Sequence, residues 1–138
     1  MDCLFCKIAA GEIGSEVIYE DTEVKVFKDL HPKAPVHLLV IPKTHIQSIA
    51  HLDPAPFVDC ASRGDSHLVH KRCGVEADQQ CYIIAKLIYA AKNAAADQGL
   101  KGYKLVFNVG REGGQVIDHL HLHLLGGWGS EGERSINV

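Results

Sequence analysis

The sequence predicts an α+β domain of five short β-type runs, one long helix and a short helical turn near the N-terminus. Three observations carry that prediction. Residues 119–124 read His-Leu-His-Leu-His-Leu, and strict alternation marks a strand whose side chains point to opposite faces. Several earlier runs are rich in Val, Ile, Leu, Phe and Tyr and end at turn formers. Residues 76–98 are alanine-rich with apolar positions at helical spacing, and Gly99 follows as a stop.

Taken in order, Lys7–Ile13 reads as a helical turn stopped by Gly11. Glu16–Tyr19 and Val24–Phe27 are β-type runs separated by Glu20-Asp21-Thr22-Glu23, an antiparallel hairpin pattern. The two prolines of Asp29–Pro35 make a turn. Val36–Ile41 is apolar on both faces except at His37, which predicts a central strand, and Pro42 ends it. Lys43–Ile49 reads as a loop or short helix. In the long helix, Cys81, Ile84, Ala85, Ile88, Ala91 and Ala95 form the expected buried stripe. Tyr103–Val109 is the fourth strand, Gly110–Gln115 a glycine-rich turn, and the alternating run the fifth strand. Residues 54–75 show no period and read as an irregular insert, in which His67, His70 and Cys73 fit a solvated loop better than a metal site. Residues 128–138 form a mostly polar tail.

The 138 residues are expected to form one domain over 1–138, with the insert and tail as appendages. The net charge of −3 gives no general attraction to nucleic acid or anionic membrane. No apolar run approaches the ~20 residues of a membrane span, and no signal-peptide pattern opens the chain. Five cysteines without a secretory pattern predict a reducing compartment, the cytoplasm or the nucleus.

His119, His121 and His123 should share one face, roughly 6.5 Å apart. Leu120, Leu122 and Leu124 should share the core face. Three histidines in register leave three readings: structural burial, a His-x-His zinc site, or a nucleophilic histidine served by the amides of the neighbouring glycine-rich loop. Cys3-x-x-Cys6 is likewise a redox pair, half of a zinc site, or two buried thiols.

The run His-Leu-His-Leu-His-Leu-Leu, with Gly-Gly-Gln before it and Gly-Gly after it, resembles the signature of the histidine triad (HIT) superfamily of nucleotidyl hydrolases and transferases. It is most similar to the Hint branch, the purine nucleoside phosphoramidases. The resemblance spans residues 1–52 and 76–127. It implies a HIT-like fold with a five-stranded antiparallel sheet, a homodimer, and a purine nucleotide such as AMP or GMP as ligand. It implies His121 as the nucleophile, His123 and His37 as its partners, and Asn108 near the phosphate and leaving group. Gly114, Gln115 and Val116 match the phosphate loop. Asp29 matches the acid that binds the ribose hydroxyls, and Phe5, Ile8, Ile13, Phe27 and Leu30 match the apolar slot for the base. It also implies a structural zinc held by Cys3, Cys6, His45 and His119, with no metal needed for catalysis.

Three departures stand out. Val116 occupies a position where many Hint proteins carry Ser or Thr. The Trp-Pro-Pro-Gly tail is absent. The 54–75 insert has no counterpart. The implied activity is cleavage at the α-phosphate through a histidine–nucleotide intermediate. Alternatives are hydrolysis of dinucleoside polyphosphates and a nucleotide-binding interaction protein with little turnover.

Overall fold

The computed structural model describes residues 3–52, 75–129 and 138. The 54–75 insert except Val75, and most of the 128–138 tail, lie outside them, as do His67, His70 and Cys73.

Helix α1 spans Leu4–Ala9 and starts three residues earlier than the sequence pattern suggests. Cys3 explains the shift. It sits in extended backbone as the cap, and its Sγ accepts from the Cys6 N–H, satisfying one of the free donors of the first turn. The chain leaves α1 through Gly11 at φ +79°, a left-handed turn that suits glycine.

Five strands follow: β1 (Val17–Glu20), β2 (Val24–Lys28), β3 (Val36–Pro42), β4 (Tyr103–Val106) and β5 (Leu122–Gly126). They form one sheet in the order β1-β2-β3-β5-β4, antiparallel throughout. Asp21 shapes the β1–β2 turn by accepting from the N–H groups of Glu23 and Val24. Helix α2 spans Val75–Asp97.

The pleat sorts side chains into two layers. Val24, Val26, Leu38, Val40, Leu120, Leu122 and Leu124 meet Leu87, Ala90, Ala91, Ala94 and Ala95 of α2 on one face. Phe27, Leu39 and Ile41 meet Phe5, Ile8 and Ala9 of α1 on the other. Burying each of the three leucines is worth about 1.5–3 kcal/mol.

The α2 stripe differs from the expected one. Ile84, Leu87, Ala91 and Ala95 face the sheet, whereas Cys81 and Ile88 are exposed. The small alanines let the helix lie close to the sheet, so packing there selects their face over the flank that carries Ile88.

The fifth strand is shorter than its alternation suggests. Hydrogen-bonded pairing begins at Leu122, opposite Val40. Further along β3 stands Pro42, which has no N–H to give, and its carbonyl accepts from the His119 ring. Leu120 N–H donates instead to the Ile46 carbonyl. The alternation of faces nevertheless continues through residues 119–121, with Leu120 in the α2 layer.

Candidate functional site

All three triad histidines are buried on the α1 face, and each has one ring nitrogen claimed by a partner that dictates its proton. A carbonyl oxygen accepts only, so a nitrogen bonded to it must carry hydrogen.

His119 Nε2–H donates to the Pro42 carbonyl at 2.8 Å. The neutral ring therefore has a bare Nδ1. That atom lies 3.4 Å from Cys3 Sγ, 3.5 Å from Cys6 Sγ and 3.2 Å from His45 Nδ1. Cys6 Sγ is also 3.2 Å from His45 Nδ1. The four ligand atoms of Cys3, Cys6, His45 and His119 converge within 4.8 Å of one another. A tetrahedral zinc with bonds of about 2.0 Å to nitrogen and 2.3 Å to sulfur sets N–N and N–S edges of roughly 3.3–3.6 Å. The donor set fits such an ion, and the carbonyl that fixes the His119 tautomer is the outer partner a ligating histidine normally has. Without a metal, burial and the neighbouring Cys3 sulfur push the Cys6 thiol up; a bound cation reverses that.

His121 is held the opposite way round. Its Nδ1–H donates to the His119 carbonyl at 2.7 Å, which leaves Nε2 with the lone pair. Burial lowers its pKa, with the hydrogen bond to His119 opposing. The result is a ring that is neutral at neutral pH, with an oriented Nε2 lone pair, on a residue that lines the adjoining cavity.

His123 belongs to a chain that begins on the backbone. Lys33 N–H donates to His37 Nδ1 at 3.0 Å, so the proton of neutral His37 is on Nε2. That N–H points at His123 Nδ1, 2.9 Å away. His123 must then carry its own proton on Nε2. Burial and the neighbouring His121 and His37 rings push the pKa of His123 down to about 4. Burial also lowers that of His37, against the pull of Asp29. Asp29, His37 and His123 could also be read as a metal cluster. An ion there would need a bare His37 Nε2, which the Lys33 amide denies it, so the group is a proton-ordered chain.

Beside these rings lies a cavity of about 330 Å³, within the range of small-ligand sites. It is lined by Phe5, Ile8, Phe27, Asp29, Leu30, His37, Val116, His121 and His123 among the residues expected from the sequence. Leu4, Leu39 and Ile117 join them. Among the described residues, two buried side-chain polar atoms lack a partner, Ser15 Oγ and His123 Nε2. Both residues line this cavity, and an orphaned buried donor is what a bound ligand would satisfy.

Other expected residues stand elsewhere. Ile13 packs against the α1 layer. Gln115 spends its side chain on the loop: Oε1 accepts from Gly110 N–H, and Nε2 donates to the Gln47 and Ile117 carbonyls. The same turn needs Gly114 at φ +87° and is braced by Arg111, which donates to the Gln115 carbonyl and pairs with Asp118. Asn108 Nδ2 donates to the Val138 carbonyl at 2.7 Å, and Val138 lines the cavity.

Lys25 was not singled out by the sequence pattern. It sits 4% exposed in β2, and its Nζ donates to the Ile8 carbonyl at 2.8 Å, docking the end of α1 onto the sheet. A charged residue inside an apolar alternation was the available signal.

A family model described as the HIT domain matches residues 10–129. Protein HitA of Neisseria gonorrhoeae is 36% identical over 126 residues, covering 91% of this chain and 95% of that protein. A HIT family hydrolase from Legionella pneumophila is similar in structure with TM-score 0.72 at 41% identity, covering 91% and 93% of the two chains. A histidine triad protein from Clostridium difficile gives TM-score 0.73 at 33% identity, covering 100% and 96%.

Proposed function

This chain belongs to the HIT domain family, and from that premise we propose that it is a nucleotidyl hydrolase, a purine nucleoside phosphoramidase acting through His121. The observation that carries the reading is the pair of opposed tautomers beside one cavity. His121 offers a lone pair on Nε2, and His123 offers an unpartnered N–H on Nε2.

The chemistry follows from those atoms. His121 Nε2 attacks the α-phosphorus and the P–N bond breaks, the amine leaving with a proton taken from solvent that is given back when water attacks in the second step. His123 Nε2–H donates to a non-bridging oxygen whose charge grows in the transition state. Water then cleaves the histidine–phosphorus bond, releases the nucleoside monophosphate and restores His121. The aromatic and aliphatic walls around Phe5, Ile8, Phe27 and Leu30 accept the flat purine, and Asp29 takes the ribose hydroxyls. Asn108 and the loop of Gly114, Gln115 and Val116 border the phosphate, Gln115 by holding the loop's shape.

A zinc at Cys3, Cys6, His45 and His119 supplies a structural cross-link. It would tie α1 to the segments after β3 and before β5, with all four positions filled by protein, a closed set that leaves none for substrate. The working unit in this reading is a homodimer in a reducing compartment. Among the described residues no helix is long and apolar enough to cross a membrane.

Hydrolysis of adenosine 5′-phosphoramidate tests the reading, with diadenosine polyphosphate measured alongside. Turnover by wild type that vanishes in His121→Ala supports it. Turnover of the polyphosphate alone would move the assignment to dinucleoside polyphosphate hydrolysis. Nucleotide binding with turnover of neither would make this a binding protein.

A further inference from the structure

Of the two orphaned polar atoms on residues of the cavity wall, His123 Nε2 has a role in the mechanism above and Ser15 Oγ has none. The Ser15 oxygen is buried and meets no hydrogen-bond partner among the described residues. Its polar neighbours in the wall are already engaged. Lys28 Nζ donates to Glu16, and Asp29 Oδ1 accepts from His31 N–H.

Strand register puts the two orphans at opposite ends of the site. His123 lies opposite Leu39, Leu39 opposite Phe27, and Phe27 opposite Val17. That row crosses β5, β3, β2 and β1, three strand spacings or roughly 14 Å. Pairing continues past Val17, because Lys28 N–H donates to the Glu16 carbonyl at 3.0 Å. One step further sets Ser15 opposite Asp29, on the face that carries Phe27. It is a position without ladder hydrogen bonds, where facing side chains stand closest. On its other side Asp29 N–H donates to the His37 carbonyl at 3.1 Å. Asp29 therefore stands between Ser15 and the histidines.

The order across the sheet sets what Ser15 can meet. With the phosphate at His121 and His123 and the ribose at Asp29, the next atoms of a nucleotide are those on the sugar edge of its base. Every purine carries the N3 acceptor there, and guanine adds the N2 amine as a donor. A hydroxyl gives one hydrogen and accepts at its oxygen, so Ser15 can donate to N3 and accept from N2 together. Adenine and hypoxanthine offer N3 alone. Ile8, Phe27 and Leu30, which wall the cavity with Ser15, have no polar side-chain atom to offer.

We propose that Ser15 is a specificity-determining residue that reads the sugar edge of the base and makes a guanosine nucleotide the preferred substrate. The inference rests on the reading above and deepens it by naming the base. Ser15 touches the substrate in ground state and transition state alike, so its effect belongs in KM rather than kcat. An orphaned hydroxyl also costs the unliganded fold stability. Ser15→Ala should therefore leave the Tm of the free protein level or raise it. A fall of about 4 °C or more would mean that the hydroxyl has a structural partner, and would overturn the inference.

The test uses two pairs of 5′-phosphoramidates that differ only in the N2 amine, guanosine against inosine and 2-aminoadenosine against adenosine. In wild type the member with the amine should have a KM roughly fivefold lower, about the worth of one net hydrogen bond, with kcat within about twofold. In Ser15→Ala both KM ratios should fall to within about twofold of unity. Equal KM values within the pairs in wild type would overturn the inference, as would a preference that survives in Ser15→Ala.

Calorimetry with GMP and IMP gives a measurement independent of turnover. GMP should bind wild type more tightly by the same factor and Ser15→Ala equally, and IMP binding wild type as tightly as GMP would overturn the inference. If no phosphoramidate is cleaved, the proposed activity fails while this comparison still decides the base reading. If GMP does not bind at all, both fail.

Discussion

Two histidine clusters share one short stretch of chain and do opposite things. Around His119, bare nitrogens and sulfurs converge on a point. Around His123, each lone pair meets a hydrogen. The residue type is the same and the burial is similar. What differs is the partner of the other ring nitrogen: a carbonyl for His119, a donating ring for His123. The second partner of an imidazole decides whether it gathers a cation or hands on a proton. His121 lies between them and leans on both, since its orientation is set by the carbonyl of His119 and its ring stands 5.0 Å from that of His123.

The largest effect that would break this contrast comes from His121→Ala. It should lower turnover by about 10³-fold or more while leaving bound metal, measured by elemental analysis, unchanged. Loss of metal in that variant would mean the two clusters are not separable.

Cys3→Ser/Cys6→Ser probes the other side. It should abolish tight metal binding and lower Tm by about 10 °C or more. Below the lowered Tm, the protein should keep its affinity for AMP within roughly tenfold. A chelator should reproduce the Tm change in wild type and have no effect on the variant.

Acidity acts on both clusters in the same direction. Burial depresses the pKa of His37, His119, His121 and His123 below the ordinary 6.5. For a base with a depressed folded-state value, stability is fully present above the unfolded value and is lost as pH falls toward the folded one. Tm should therefore be flat above about pH 6.5 and decline below it. In the proposed mechanism His121 attacks as the neutral ring, so kcat/KM should also stay level through neutrality, with its acid limb below the usual histidine range. An acid limb above pH 7 would contradict the buried, neutral nucleophile.

Lys25→Met should give the smallest change. Replacing a buried charge with an apolar side chain of similar length is often close to neutral in stability, and Ile8 O keeps its bond from Gly11 N–H. The expected result is a Tm shift within a few degrees and a several-fold rise in KM, because α1 carries Phe5 and Ile8 into the cavity. Metal stoichiometry should hold. A large Tm loss would mean that Lys25 supports the sheet rather than the seat of α1.

Much of this was legible in the sequence. The period-two alternation after Asp118 placed three leucines in the core and three histidines on the other face, because side-chain direction in extended chain is a local property. The two cysteines, His45 and His119 were identified as one ligand set through resemblance. The α1 start differs from the pattern by three residues because Cys3 caps the first turn, a residue type outside the usual capping set, and the α2 stripe differs because the close alanine contact with the sheet is a tertiary event. The short β5 is also hidden, since it depends on Pro42 at the end of the neighbouring strand β3, about eighty residues earlier in the chain.

The faces, the residue types and the order of the elements follow from the order of residues alone. The protons follow from contacts that exist once the chain has folded. Which nitrogen of each ring carries hydrogen is set by the Pro42 carbonyl, the His119 carbonyl and the Lys33 amide. Two of these three partners come from segments far from the triad in the chain. A tautomer is a choice between two nearly equal states of the isolated side chain, so a single hydrogen bond from a neighbour that folding delivers is enough to settle it.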